Sequence, residues 1–340
     1  MSTDSAELIS PHDLGWAEHS PDDPEVVELR EHLLENNGIH GLERFQPHEI
    51  DRAVEVFRRD GFVVVENVLT PEQTEFLRAG CDEMMSEIVT RDNADRAGNR
   101  GSHRYSFGGT SSTRSMLHRP EWQMLLDLPT LTPIIEAIFE NDDYILRAAS
   151  GDFCLAGAVN YQPLHADVHD FISKERSPVS SFHDPSGRLT MSEIPTPYMA
   201  INFLPQDVTP LNGPTRQIPG SQYQRGQIPS LETEPEWMRL STVCPAPAGA
   251  VQIRDTRAWH GGTPNVSDRA RAIPNLEIYA PWFRESLIPG INRSDWEQLS
   301  ERARKMTQFV VADSAHPITP EIMTPEAIRM QRAARAARSS

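Results

Sequence analysis

Pro163-Leu164-His165-Ala166-Asp167-Val168-His169 is the stretch from which the fold is read. His165 and Asp167 are two apart, and on a strand residues i and i+2 project from one face. An imidazole and a carboxylate side by side make two adjacent arms of a metal site. The third arm has to come from elsewhere, and the candidate is His260, in Thr256-Arg257-Ala258-Trp259-His260-Gly261-Gly262. Two histidines and one carboxylate on one side of an octahedron leave open positions, the arrangement that suits non-haem Fe(II) oxygenases. A lone H-x-D triplet arises by chance, so the reading leans on what surrounds it.

Two features support it. Arg271 follows His260 by 11 residues, in Ser267-Asp268-Arg269-Ala270-Arg271-Ala272-Ile273. With His260 opening one strand and Arg271 on the next, antiparallel one, the arginine faces the same cavity, where its fork would bind a carboxylate bidentately. Asn212-Gly213-Pro214-Thr215-Arg216-Gln217-Ile218-Pro219-Gly220-Ser221, between the two ligand segments, reads as a turn, a short strand and a second turn.

With Arg59-Asp60-Gly61-Phe62-Val63-Val64-Val65 added, these stretches come in an order that resembles the phytanoyl-CoA dioxygenase family of Fe(II)/2-oxoglutarate oxygenases, over roughly residues 46–284. The resemblance implies a mainly β fold with flanking helices, a double-stranded β-helix of the jelly-roll or cupin kind. It implies iron held by His165, Asp167 and His260, and the far carboxylate of 2-oxoglutarate on Arg271. Several members add a hydroxyl to that carboxylate. Gly262 stands where some carry Ser, which leaves Thr215 or Thr263 to replace it. Asn202 falls where the family often has a residue beside the co-substrate, and Gln162 is a second candidate.

Composition bounds the alternatives. The chain has 340 residues, a length that favours one large domain with extensions over two equal ones. No apolar run approaches the ~18 residues that span a bilayer, and no signal segment opens the chain, so the expectation is a soluble cytoplasmic protein without a membrane partner. Cys81, Cys154 and Cys244 are far apart and form no disulfide or metal pattern. A net charge of −17 argues against nucleic acid as a partner, and against a polyanionic substrate such as a coenzyme A ester unless a local basic pocket exists.

Along the chain, residues 1–44 read as an acidic arm lying on the body, with a helix near 25–35; its functional use is a homodimer contact or a cover for the site. Residues 46–59 carry Ile50, Ala53, Val54 and Phe57 at helical spacing, and Gly61 stops them. Thr70-Pro71-Glu72-Gln73 is a capping box for a helix that buries Phe76, Leu77, Met84, Met85 and Ile88. Residues 91–115 read as a long polar loop at the cavity mouth, in which Arg104 and Tyr105 are either solvated or in contact with substrate. Strands are expected at 144–149, 152–159, 162–169, 198–205, 215–218, 240–244, 249–254, 257–261 and 271–280. Residues 171–197 interrupt the series as a Ser/Pro-rich lid, and His169 shares the face of Asp167 and lines the pocket. Residues 45–284 form the oxygenase domain on this reading. Residues 285–340 form a helical extension with a capping box at Ser294-Asp295-Trp296-Glu297 and a stripe of Arg329, Arg332, Arg335 and Arg338. That stripe is a solvated face or a partner for the acidic body or a second subunit.

The expected activity is oxidation, by default hydroxylation, of an unactivated C–H in a small organic substrate, with Fe(II), 2-oxoglutarate and O2 as cofactor and co-substrates. Desaturation and ring formation start from the same iron chemistry. The polar loops favour a specialised metabolite. The alternatives are an acyl-CoA 2-hydroxylase of the same family, a metal-dependent hydrolase on a similar barrel, which has no use for Arg271, and a non-catalytic binding domain.

Overall fold

Alternation along one strand sets the architecture. In Arg271-Ala272-Ile273-Pro274-Asn275-Leu276-Glu277-Ile278-Tyr279, Ala272, Leu276 and Ile278 enter the main hydrophobic core, whereas Arg271, Asn275 and Glu277 line a cavity. Successive strand side chains point to opposite faces, so one sheet separates an apolar layer from a polar space.

The computed structural model describes residues 8–36, 38–92, 96–170, 181–182, 184, 186–224, 226–240, 245–285 and 287–339. Its strands are β1 (Arg44–Phe45), β2 (Phe62–Val65), β3 (Arg104–Ser106), β4 (Ile145–Cys154), β5 (His169–Asp170), β6 (Ser181–Phe182), β7 (Tyr198–Phe203), β8 (Thr215–Gln217), β9 (Val251–Asp255), β10 (His260–Gly262) and β11 (Arg271–Tyr279). Its helices are α1 (Pro24–Asn36), α2 (Ile50–Asp60), α3 (Pro71–Thr90), α4 (Phe107–Thr110), α5 (Pro120–Met124), α6 (Thr132–Phe139), α7 (Glu236–Leu240), α8 (Arg293–Trp296), α9 (Glu301–Thr307) and α10 (Pro325–Ser339).

The large sheet runs β1-β2-β9-β7-β11-β4-β3. Val63, Ile253, Ile201, Leu276 and Ala149 pair in succession across five of its strands and all belong to the core. Phe57 of α2, Leu77 of α3, Trp122 of α5, Ile134 of α6 and Met306 of α9 cover that face. The small sheet pairs β10 with β8, and isolated bridges join His165 to His260, and Asn265 to both Ala158 and Asn212. The cavity lies between the two sheets, as expected of a double-stranded β-helix.

Several local expectations hold. Thr70 Oγ1 accepts from the Gln73 amide and Gln73 Oε1 from the Thr70 amide, closing the capping box. Gly61 ends α2 in the left-handed region at φ 83°.

Others are corrected. The two strands expected at 144–149 and 152–159 are one, β4, which passes Gly151 at φ 138°; a Cβ there would meet the Ile273 carbonyl oxygen at 2.5 Å. Residues 162–168 are not a strand beyond the bridge at His165, because only that residue finds a full pair of partner groups on His260. Residue 240 closes α7, and 241–244 lie outside the described residues. Residues 104–110 of the expected loop are β3 and α4, mostly buried. Phe76 is 43% exposed and not part of the buried side of α3. Ser294 does not cap a long helix: α8 ends at Trp296, and Ser300 caps α9 by accepting from Ala303 N.

The flanking segments pack on the body. Val26 and Leu33 of α1 form a small cluster with Val266, and Arg96 donates to the carbonyls of Leu14 and Gly15. Ile291, Ala303, Met306 and Val310 join the main core. Of the lid expected at 171–197, residues 171–180, 183 and 185 lie outside the described residues. Its later part is held: Arg257, paired with Asp255, donates to the carbonyls of Met191 and Ile194.

Candidate active site

His165 and His260 are brought together by backbone pairing. Each donates its amide to the other's carbonyl at 2.9 Å, so the two side chains stand side by side, ring centroids 4.2 Å apart. Two residues on, the Asp167 amide donates to the Thr256 carbonyl at 2.8 Å, turning its carboxylate to the same spot. One ligand atom from each of His165, Asp167 and His260 lies within 4.8 Å of the other two. The Nε2 to carboxylate separations, 3.9 Å for His165 and 3.7 Å for His260, are too long for hydrogen bonds and leave room for an ion among the three atoms.

The tautomers suit a metal. His165 Nδ1 faces the Pro163 carbonyl at 3.2 Å and His260 Nδ1 faces the Ala258 carbonyl at 3.0 Å. A carbonyl only accepts, so each Nδ1 carries the proton and each Nε2 offers its lone pair. Burial, with Arg254 and His165 nearby, holds His260 well below the usual imidazole range, so it stays neutral. Burial alone would raise the Asp167 pKa, but the charged surroundings, with the Arg254 guanidinium in direct contact, bring it below the ordinary carboxylate value, so it stays ionised. Arg254 Nη2 donates to Asp167 Oδ2 at 3.0 Å. Two imidazoles and one carboxylate are the donor set of a 2-His-1-carboxylate iron site.

The cavity beside this cluster has a volume of ≈ 530 Å³. Arg271 is buried on its wall; its guanidinium donates to the carbonyls of Asn212 and Gly213 and has no carboxylate partner among the described residues. Burial, with Arg104 adding like charge, lowers its pKa to about 10, so it remains a cation. Thr215 and Asn202 line the same cavity. Thr263 is fully buried with its hydroxyl donated to the Pro214 carbonyl, so it is not the second hydroxyl on that wall. Gln162 also lines the cavity, its amide held by Gly262 N and the Arg100 carbonyl.

Three candidates fall differently. Arg104 is not solvated: it is buried on the cavity wall. Tyr105, its neighbour on β3, lines the same cavity and is also packed into the main core. Its ring stacks on Phe153 at 4.7 Å and its hydroxyl donates to Asp92. His169 opens β5, and its side chain lies outside what is described.

Sequence reading missed Arg254, Asp152, Asn275 and Glu277. The signal was present: polar residues alternate with apolar ones along Val251–Asp255 and Arg271–Tyr279. It also missed Arg100 and Arg332, which line the cavity together with Arg104, Arg254 and Arg271. Against Asp152, Asp167 and Glu277, these arginines give the cavity a basic balance inside an acidic chain. Arg332 belongs to the C-terminal stripe, which is not simply solvated: Arg329 donates to the Gly98 carbonyl and pairs with Asp92, and Arg332 donates to the Asn99 carbonyl.

The sequence profile of the phytanoyl-CoA dioxygenase family matches residues 57–273, well over half of the chain. The chain belongs to that family and is an iron- and 2-oxoglutarate-dependent oxygenase. Among solved structures it is similar to HygX from Streptomyces hygroscopicus with nickel, 2-oxoglutarate and hygromycin B bound. The identity is 15%, with 69% of this chain and 88% of that one covered, at a TM-score of 0.50. AviO1 from Streptomyces viridochromogenes Tue57 is 21% identical over 70% of this chain and 97% of that one, at a TM-score of 0.48. Among the described residues, no helix is long and apolar enough to cross a membrane.

Proposed function

We propose that this enzyme oxidises an unactivated C–H bond of a small organic molecule, with His165, Asp167 and His260 holding Fe(II) and Arg271 holding the distal carboxylate of 2-oxoglutarate. The carrying observation is that one cavity of ≈ 530 Å³ brings a cluster of two imidazoles and a carboxylate together with a buried arginine lacking an acidic partner. A hydrolase would use the cluster and leave Arg271 without a role. Iron with 2-oxoglutarate and O2 supplies the oxidising power, and succinate and CO2 are the co-products.

The chain's share is placement. Nδ1 protons fixed on two carbonyls keep both Nε2 atoms free for the metal, and Arg254 keeps Asp167 ionised and aimed. Arg271 orients the co-substrate by its charged end, so that its keto acid end is presented to the metal side. Asn202 and Thr215 supply polar contacts along that path. HygX, whose fold is alike, holds nickel, 2-oxoglutarate and hygromycin B together. A cavity of this size favours a compact metabolite over a long acyl chain.

The test is succinate release by the purified protein with Fe(II), ascorbate and 2-oxoglutarate, across a panel of small carboxylated and phosphorylated metabolites, with product masses read in parallel. Succinate that depends on both iron and 2-oxoglutarate, and a substrate mass changed by oxygen addition or hydrogen loss, is the expected result. Metal-dependent hydrolysis without 2-oxoglutarate would overturn the reading.

A further inference from the structure

Arg104 and Arg271 stand in one row of the large sheet. Arg104 on β3 and Arg271 on β11 both pair directly with Cys154 on β4, from opposite sides. Directly paired residues share a face, and strands lie ≈ 4.8 Å apart, so the two arginines start about 10 Å from one another on the same wall. They are 6% and 4% exposed, both line the cavity, and neither has a carboxylate within ion-pair distance among the described residues. Each is steered by carbonyls of the opposite layer: Arg271 by Asn212 and Gly213, Arg104 through Nη2 by Asn160 at 2.9 Å and Thr263 at 2.7 Å.

Arg104 Nη1 is left for something else, and Gly262 shows where it points. A Cβ at Gly262 would lie 2.7 Å from Arg104 Nη1 and 2.6 Å from Gln162 Oε1. Gly262 is not among the positive-φ glycines, so its backbone does not call for glycine; what the residue provides is room. It is two residues after His260 on β10, hence on the same face as the metal-side imidazole. Arg104 therefore reaches across to the metal-facing side of β10, into the volume that any side chain at 262 would fill.

Two buried guanidiniums on one wall repel each other and stay costly until an anion arrives. A carboxylate has about four lone-pair sites on two oxygens, enough for two arginine forks at once. We propose that Arg104 is a second arginine of the co-substrate clamp: it and Arg271 grip the same distal carboxylate of 2-oxoglutarate from two sides, and residue 262 is glycine to let Arg104 in. This rests on the functional reading above and adds a binding residue to it.

The experiment is calorimetric titration of Mn(II)-loaded, full-length protein, which binds without turning over. Two ligands are compared: 2-oxoglutarate, and 2-oxopentanoate, which has the same chain length with a methyl in place of the distal carboxylate. Arg104→Gln should weaken 2-oxoglutarate binding by about 10- to 100-fold, since charge-assisted contacts are the strong ones, and leave the weak binding of 2-oxopentanoate unchanged. Gly262→Ala should produce a comparable loss by displacing Arg104, and the double variant should be no worse than Arg104→Gln alone. Arg104→Lys should recover part of the affinity. Wild-type affinity for 2-oxoglutarate in Arg104→Gln would overturn the proposal. Equal loss of both ligands would overturn it too, by making Arg104 a brace of the fold. If the wild-type protein binds Mn(II) but no 2-oxoglutarate, the functional reading itself is what fails.

Discussion

Arg254 donates from Nη2 to Asp167 Oδ2 across 3.0 Å, a buried guanidinium gripping one oxygen of the carboxylate in the metal cluster. The contact spans 87 residues of sequence and joins β9 to the irregular segment that follows His165. It fixes the rotation of a side chain whose backbone is not held by a regular strand.

Arg254→Met should therefore loosen the site without removing a ligand. The expected effect is a loss of about 10- to 100-fold in Fe(II) affinity, the usual scale for groups that orient metal ligands. Anaerobic Fe(II) titration measures it. A gain in affinity would mean that the guanidinium acts mainly by repelling the metal.

Asp167→Ala removes one of three protein ligands and its charge, and should lose most bound iron and most succinate release. Asp167→Glu should also be poor, because one extra methylene misplaces the carboxylate in a site that needs placement within ~0.5 Å. Iron content and succinate yield are the readouts. Full iron and full turnover in Asp167→Ala would remove it from the cluster.

Arg271→Ala should weaken 2-oxoglutarate binding on the order of 2–5 kcal/mol, the range for breaking a buried hydrogen-bonded charge contact, with Fe(II) binding nearly intact. Unchanged 2-oxoglutarate affinity would take Arg271 out of the co-substrate site.

Tyr105→Phe separates a bracing role of Tyr105 from a substrate contact, since the residue both packs in the core and lines the cavity. It removes the hydroxyl that donates to the buried Asp92 carboxylate, and should cost about 1–3 kcal/mol of stability in a urea melt. Substrate KM should stay at the wild-type value in protein that is folded. A raised KM at unchanged stability would make Tyr105 a substrate contact.

Arg329→Ala withdraws one of the partners of Asp92 and one of the contacts that dock α10 on Asp92 and Gly98. Arg329 is partly exposed, so the expected loss is about 1 kcal/mol, at the low end for charged hydrogen bonds. Faster proteolysis at the C-terminal end would accompany it; wild-type urea and protease resistance would mean that α10 is held by other contacts.

Much of this was legible in the sequence for local reasons. The spacing His165-x-Asp167 and the Thr70–Gln73 capping box are written in adjacent residues, and so are the alternating strands once their period is read. The chemistry of such patterns depends on residue type and short separation. Arg254 and Arg332 were not legible in this way, because each reaches the cavity from a segment far along the chain and an arginine in isolation reads as solvated surface. Even the H-x-D pair was right for an incomplete reason: residues 162–168 do not form the expected strand, and His165 and Asp167 are aligned by separate backbone bonds to His260 and Thr256.

The sequence by itself determined the element types, the β-rich fold class and the donor set of the metal cluster, because periodicity, turn residues and ligand chemistry act over a few residues. The tertiary structure decided which charges meet. It turned one face of the large sheet into an arginine-lined cavity inside an acidic chain, left Arg104 and Arg271 without carboxylate partners among the described residues, and placed Gly262 where its missing side chain leaves room for Arg104. Those outcomes follow from sheet register and the packing of two layers, and register is set by pairing between segments far apart in the chain, beyond the reach of local spacing.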